Sequence, residues 1–255
     1  MSTDNQTKIN LLLQSQPPGV VFLASWLEAN GYSRDLQRRY IGSGWLKPIG
    51  RGALIRQGQE IDWKGALYAI QNQAKSKIHV GGRSALNLLG LSHYLELAEK
   101  KIDLFALRND TLPSWFLKFD WGVKFNLQKT DFLPCDLGLV VYEEKAYSIT
   151  ISSPARAVLE CLYLAPKEFD LLEAYQIMEG LTALHPDDVQ SLLSNCNSVK
   201  VVRLFLYIAN KAGHHWVKRL DISKFKFGRG KRSIVSNGVF IAEYNITVPS
   251  DLAKA

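Results

Sequence analysis

The scarcities of this 255-residue chain narrow its class before any motif does. It has three cysteines, Cys135, Cys161 and Cys196, odd in number and far apart. That excludes a disulfide framework and a paired zinc-ligand spacing, and they read as reduced thiols. No apolar run approaches the roughly 18 residues that a membrane helix needs. The first 16 residues are polar apart from Leu11-Leu12-Leu13 and lack the basic start and long apolar core of a signal peptide. The expectation is a soluble, cytoplasmic protein with no membrane contact.

Groups that carry chemistry are equally sparse. His214-His215 is an adjacent doublet whose side chains diverge on a helix, and His79, His93 and His185 stand alone. None forms an i, i+4 pair or an H-E-x-x-H motif. Glu143-Glu144 reads as hairpin charge, and Asp187-Asp188 as the acidic complement to a helix N-terminus. No Ser or Cys sits in a nucleophile-elbow context. Gly228-Arg229-Gly230-Lys231-Arg232-Ser233 departs from the phosphate-loop pattern, because Arg232 occupies the Ser/Thr position and the first glycine is misplaced. Gly81-Gly82 before Arg83-Ser84 reads as a plain helix entry. No catalytic residue, metal site or cofactor is expected.

What is present is ordinary globular material with a basic bias. Hydrophobic residues make up 47% and charged residues 22%, and 31 Lys+Arg against 24 Asp+Glu leave a formal charge of +7. The length suits two domains. Ile9, Leu12 and Leu13 repeat at helical spacing before Pro17-Pro18-Gly19. A second helix is expected over Phe22–Ala29, ended by Asn30-Gly31, and a third over Arg34–Gly42 with Ser33 as its N-cap. Trp45–Ile49, Gly50-Arg51-Gly52 and Ala53–Arg56 read as strand, turn and strand. Three helices and a hairpin make a winged helix-turn-helix, assigned to residues 1–60. Residues 61–255 form the second domain. Its expected helices cover Trp63–Ala74, Arg83–Leu95, Ser153–Leu164, Leu171–Glu179, Asp187–Ser194 and Val199–Ala212. Its expected strands cover Lys101–Leu107, Trp115–Phe119, Gly122–Gln128, Leu137–Glu143 and Ala146–Ile151, and a hairpin closes the chain near Tyr244. The fold class is therefore α+β, an N-terminal winged helix-turn-helix followed by a larger mixed α/β domain.

Charge placement says more than net charge. Between Ser33 and Arg56 six cations face one acid, Asp35. Arg34, Gln37 and Arg38 fall at helical spacing away from Leu36 and Tyr40, so they are expected to point outward together. Arg pairs bidentately with guanine and Gln with adenine in the major groove. Ser33, Arg39, Lys47 and Arg51 are expected to hold phosphates, Arg51 from the wing tip. A second basic stretch holds Lys218, Arg219, Lys224, Lys226, Arg229, Lys231 and Arg232 against Asp221 alone. Alternation of Lys224 and Lys226 with Phe225 and Phe227 suggests a strand with one basic and one buried face. Such a strand either grips nucleic acid or an acidic partner, or is a solvated edge whose lysines block unwanted pairing.

Three segments in order resemble a known family. Gly44-Trp45-Leu46-Lys47-Pro48-Ile49-Gly50-Arg51-Gly52, ending the winged helix, is similar to the N-terminal module of the AbiEi antitoxins of type IV toxin–antitoxin systems. Gly81-Gly82-Arg83-Ser84-Ala85-Leu86-Asn87-Leu88-Leu89-Gly90 resembles a G-x-x-S/A-A-L-x-x-x-G helix of that family. Ile151-Ser152-Ser153-Pro154-Ala155-Arg156-Ala157-Val158-Leu159-Glu160 resembles its Ser/Thr-Pro-Glu-Arg-Ala helix start, with Ala155 where many members carry Glu. The resemblance implies a repressor that binds inverted repeats in its own promoter as a monomer or weak dimer, paired on DNA. It also implies an antitoxin domain that counters a nucleotidyltransferase-like toxin without a stable complex. Two other readings compete: a nucleic-acid-modifying or nucleotide-using enzyme targeted by the winged helix, and a winged helix that binds protein.

Overall fold

The computed structural model describes residues 7–91 and 101–255. In chain order the elements begin α1 (Lys8–Ser15), β1 (Phe22–Leu23), α2 (Ala24–Ala29), α3 (Arg34–Gly42), β2 (Leu46–Gly50), β3 (Ala53–Arg56) and α4 (Trp63–Tyr68), which runs into a π-helical turn over Ala69–Gln73. There follow β4 (His79–Val80), α5 (Gly82–Leu88), β5 (Lys101–Ala106), α6 (Ser114–Lys118), β6 (Lys124–Lys129), β7 (Leu139–Glu143) and β8 (Ser148–Ser152). The chain continues through α7 (Pro154–Leu164), α8 (Leu171–Gly180), α9 (Pro186–Ser194) and α10 (Val199–Lys211). It ends with β9 (Arg232–Ser233), β10 (Val239–Ile241), β11 (Ile246–Val248) and α11 (Ser250–Lys254). Three sheets have the orders β1-β3-β2, β6-β5-β4-β8-β7 and β10-β11-β9.

Two compact units emerge, one comprising residues 1–79, 109–124 and 141–150 and the other residues 80–108, 125–140 and 151–255. The first contains the α1-β1-α2-α3-β2-β3 order of a winged helix. Its core gathers Ile9 and Leu12 of α1, Phe22, Leu27, Tyr32, Tyr40, Leu46 and Leu54. The turn between α2 and α3 closes by a Schellman arrangement, in which the Gly31 N–H donates to Glu28 O at 3.0 Å and the Tyr32 N–H to Leu27 O at 2.8 Å. Gly31 takes φ +83°, a left-handed position that a side chain would strain. Ser33 then caps α3, its Oγ accepting from Leu36 N at 3.4 Å.

The π-helical turn ties later chain to this module. Gln73 Oε1 accepts from Leu23 N at 2.8 Å and its Nε2 donates to Val21 O at 2.8 Å, so one amide pairs with the backbone at the edge strand β1. Gln71 does the same for Thr150, accepting its N–H at 2.8 Å and donating to its carbonyl at 2.9 Å. One turn of widened helix thus supplies two strand-like partners.

The second unit is organised by a buried carboxylate. Glu160 is 0% exposed on α7, a helix whose apolar residues are almost all buried. Its Oε1 accepts from Arg156 Nε at 2.8 Å, and its Oε2 accepts from Ser152 Oγ at 2.7 Å and from Gly82 N at 2.8 Å. Arg156 also donates to Pro134 O and Leu137 O at 2.7 and 2.5 Å. A Cβ on Gly81 would lie 2.2 Å from Glu160 Oε2, which is why the Gly81-Gly82 pair admits this approach.

Three expectations from sequence need correction. Trp115–Phe119 is not a strand: α6 starts after Pro113, with Trp115 and Phe116 both buried rather than alternating. A short apolar run carries no period that separates strand from helix, and the preceding proline favours a helix start. Lys224–Phe227 is not a strand either, since a 3-10 turn over Ile222–Lys224 precedes an irregular stretch. The alternation itself holds, with Phe225 buried and Lys224 and Lys226 exposed. The helix expected over Arg83–Leu95 ends at Leu88, and its last four residues lie outside the described residues. The closing hairpin forms, with Val239 opposite Val248 and Ile241 opposite Ile246.

Removing one side of the buried pair leaves the other charge without compensation, a loss of about 3–5 kcal/mol. Glu160→Ala is expected to lower stability by that order in urea unfolding, with Glu160→Gln less harmful because it keeps the Ser152 and Gly82 contacts in part. An unfolding midpoint for Glu160→Ala equal to that of the parent would remove Glu160 from this role.

Candidate nucleic-acid interface

The winged helix brings most of the expected cations to one concave face. A groove of about 530 Å³ runs between α2, α3 and the β2–β3 wing, and Glu28, Arg34, Arg38, Pro48, Arg51 and Leu54 are among its lining residues. Arg34, Arg38, Arg39, Lys47 and Arg51 are all exposed. Arg34 and Arg38 face the groove from α3 and Arg51 from the wing tip, while Arg39 and Lys47 do not line it.

Gln37 departs from the expectation. It is only 5% exposed, and its Nε2 donates to Tyr32 O at 2.8 Å and Ala24 O at 3.2 Å. The helical spacing explains the reversal, because Gln37 falls three residues before Tyr40 and four before Ile41, which both pack on the core. The amide therefore braces the α2–α3 turn. Its outward-facing neighbours are Arg34 and Arg38.

Both of those arginines carry a carboxylate partner. Arg34 Nε lies 2.9 Å from Glu28 Oε1 and Arg38 Nη2 lies 2.6 Å from Asp35 Oδ1. The Arg38–Asp35 side chains are each 76% exposed and the Arg34 side chain 79%. Exposed pairs of this kind contribute about 0–1 kcal/mol, so a DNA base or phosphate can displace the acid at little cost. They hold the guanidinium groups extended without committing them.

The wing is paired and packed where it meets this face. β2 pairs with β3 from Leu46–Arg56 to Gly50–Ala53, with an irregularity between Pro48 and Gly50. β2 is an edge strand, which is where a proline can sit in a sheet. A Cβ on Gly50 would lie 2.7 Å from Trp115 Cβ, so α6 packs directly on the strand that leads to Arg51. Sequence reasoning missed α6 as a support for the wing. Trp45, 47% exposed in the connection between α3 and β2, was read only as a strand residue.

The second basic stretch is dispersed over several local structures. Lys218 and Arg219 end a 3-10 turn over His215–Arg219, Lys224 ends the one over Ile222–Lys224, Lys226, Arg229 and Lys231 lie in irregular chain, and Arg232 begins β9. All seven are exposed. Lys224 pairs with Asp221 at 3.4 Å and Lys226 donates to Asn197 Oδ1 at 2.9 Å.

Among the described residues, no group of three His, Cys, Asp or Glu side chains is placed to hold a metal ion, and no helix is long and apolar enough to cross a membrane. Two histidines, His79 and His214, have structural partners. His79 Nδ1 lies 3.0 Å from Lys77 O, and His214 Nε2 lies 2.6 Å from Met178 O with its ring stacked on Trp216.

A three-helix module with a β-wing and an exposed arginine groove, followed by a larger α+β region, defines a winged-helix regulator with an appended domain. The comparisons with known proteins make the family specific. A profile described as "Transcriptional regulator, AbiEi antitoxin N-terminal domain" matches residues 5–97, and one described as "Transcriptional regulator, AbiEi antitoxin, Type IV TA system" matches residues 99–249. The chain belongs to the AbiEi antitoxin family of transcriptional regulators of type IV toxin–antitoxin systems. Curated proteins yield no match. Among solved structures, the RV2827C protein from Mycobacterium tuberculosis shares the fold, with a TM-score of 0.56 at 16% identity over 93% of this chain and 88% of that one.

Removing the Gln37 amide leaves the Tyr32 carbonyl at the α2–α3 turn without its donor and takes a second donor from Ala24 O at the start of α2, and a buried carbonyl left unpaired costs about 1–3 kcal/mol. Gln37→Ala is expected to lower the thermal midpoint, whereas Arg38→Ala changes stability by no more than about 0.5 kcal/mol, as surface substitutions do, and leaves the midpoint close to the parent's. Equal midpoints for the two variants, read by circular dichroism, would contradict the bracing role.

Proposed function

We propose that this chain represses its own promoter by binding inverted repeats there, one winged helix per half-site, and that its second region counters a nucleotidyltransferase-like toxin. The observation that carries the DNA reading is the groove flanked by Arg34, Arg38 and Arg51, with α3 on one side and the wing on the other. Helix α3 enters the major groove, and Arg34 and Arg38 hydrogen-bond base edges, where Arg pairs with guanine O6 and N7. Arg39, Lys47 and Arg51 hold phosphates, Arg51 from the adjacent backbone. Ser33 acts as the cap that fixes the N-terminal turn of α3, and Gln37 acts inside the module. The protein is a monomer or weak dimer that pairs on DNA, because a palindromic operator needs two copies and its half-site spacing can align them. Its role is regulatory, without a catalytic residue or cofactor.

The antitoxin half of the proposal rests on family membership. The partner is a nucleotidyltransferase-like toxin, and neutralisation proceeds without a stable complex. Co-expression of the full chain with a nucleotidyltransferase-like toxin from the same operon is expected to restore growth, while affinity capture of one retains none of the other. Persistent growth arrest would remove the antitoxin role from this chain.

The DNA reading is tested by titrating the full chain against its own upstream DNA and a scrambled duplex at two salt concentrations. Arg38→Ala is expected to cost about 1–3 kcal/mol of operator affinity and to relax one base position. Arg51→Ala is expected to weaken all duplexes alike and to reduce the slope of log affinity against log salt by about 1. Equal binding of operator and scrambled DNA by the parent would overturn autoregulation.

A further inference from the structure

In the second unit, the segment that fails the phosphate-loop pattern is nevertheless built as a loop with its polar groups sorted. Arg203 of α10 is 3% exposed, and its guanidinium donates to four carbonyls. Nε reaches Phe227 O at 2.8 Å, Nη1 reaches Gly230 O at 2.8 Å and Asn245 O at 3.1 Å, and Nη2 reaches Gly228 O at 3.3 Å. A single buried cation thus gathers the acceptors of the loop onto one centre. The donors are left over. Among the described residues, the N–H groups of Gly228, Arg229, Gly230 and Lys231 have no hydrogen-bond acceptor. Gly228 and Gly230 take φ +63° and +80°, left-handed positions of the kind that turn successive N–H groups toward one concavity.

The side chains of the same loop add charge. Arg229, Lys231 and Arg232 are exposed, and none has an ion-pair partner among the described residues. Burial, together with the nearby cations of Arg232 and Lys167, depresses the Lys200 ammonium to about 8, so Arg232 adds to a cluster of cations. An exposed aromatic ring completes the patch. Phe240, 40% exposed on the edge strand β10, has Lys231 Nζ 4.7 Å from its ring centroid.

Unpaired N–H groups with three free cations recognise phosphate. A ring beside them recognises the face of a base, which a duplex keeps stacked and a single strand offers. We propose that the loop Phe227–Arg232 with Phe240 is a binding site for single-stranded nucleic acid, phosphates on the loop and a base on Phe240. The site lies outside the winged helix and does not rest on the promoter reading. Its chemistry does not choose between RNA and DNA strands, since both carry phosphodiesters and bases.

The test uses the full chain and fluorescence anisotropy with labelled oligouridine and oligothymidine of about 12 nucleotides, within the span of single-strand sites, and a duplex of the same length. The parent is expected to bind a single strand. Arg229→Ala/Lys231→Ala is expected to lose about tenfold or more and to reduce the salt slope by about 1.4, from roughly 0.7 per neutralised phosphate. Phe240→Ala is expected to lose about tenfold through lost stacking. All these positions are exposed, so thermal midpoints should match the parent. Affinity for the duplex operator, read separately, should be unchanged in both variants. Preference for oligouridine identifies RNA as the strand and preference for oligothymidine identifies DNA, and either supports the site. No single-strand binding by the parent, undiminished binding by the variants, or a loss confined to the duplex would each overturn it.

Discussion

A carboxylate that water cannot reach is the constraint around which the larger unit is arranged. Glu160 has no exposure, and ionised it requires donors on both oxygens. They come from three parts of the chain: Arg156 one turn earlier on α7, the Ser152 hydroxyl at the end of β8, and the Gly82 N–H at the start of α5. Satisfying one acid therefore sets the entry of α5, the junction from β8 to α7 and, through Arg156, the path of residues 134–137. The N-terminal N–H of α5 that might have received a ligand anion is already occupied by this internal one. Two of the three segments that resemble the family, around Gly81 and around Pro154, are thus the two ends of one polar contact.

The winged helix solves a different problem, keeping long cations extended beside a small core. Its apolar cluster is closed by aromatic and aliphatic residues from all three helices and the wing. One amide, Gln37, binds the backbone at Ala24 and Tyr32, so the turn between α2 and α3 stays fixed while the opposite helical face carries only charge. Glu28 and Asp35 pair with the groove-lining arginines at the surface, where such contacts are weak enough to be exchanged for another anion. The division between a braced inner face and an exchangeable outer face is what makes the module suited to recognition.

Much of this was legible in the residues. The helix cap at Ser33, the turn at Gly31 and the hairpin around Gly52 follow from local chemistry, which acts within a few residues and is written there. Cation placement on the wing and α3 was equally local. Gln37 was misread because helical phase alone ranks a polar residue as outward, whereas the Tyr32 carbonyl before α3 and the Ala24 carbonyl at the start of α2 both accept from its amide. Trp115–Phe119 was misread because five residues carry too little period, and what decides them is packing on Gly50, more than 60 positions away in sequence. The role of Arg203 had no local signal, since its four acceptors lie between residues 227 and 245.

The π-helical turn over Ala69–Gln73 has a consequence for how this chain can vary in length. A widened turn accommodates one more residue than an ordinary helix would over the same rise. Deleting any one residue there would restore regular winding by removing the extra residue, and residues within the turn would shift against one another by about 100°, the angular step of an α-helix. Gln71 and Gln73 could not both keep their backbone partners after such a rotation. Insertions and deletions among relatives should therefore avoid this turn and accumulate elsewhere, which makes it a fixed ruler for aligning distant members.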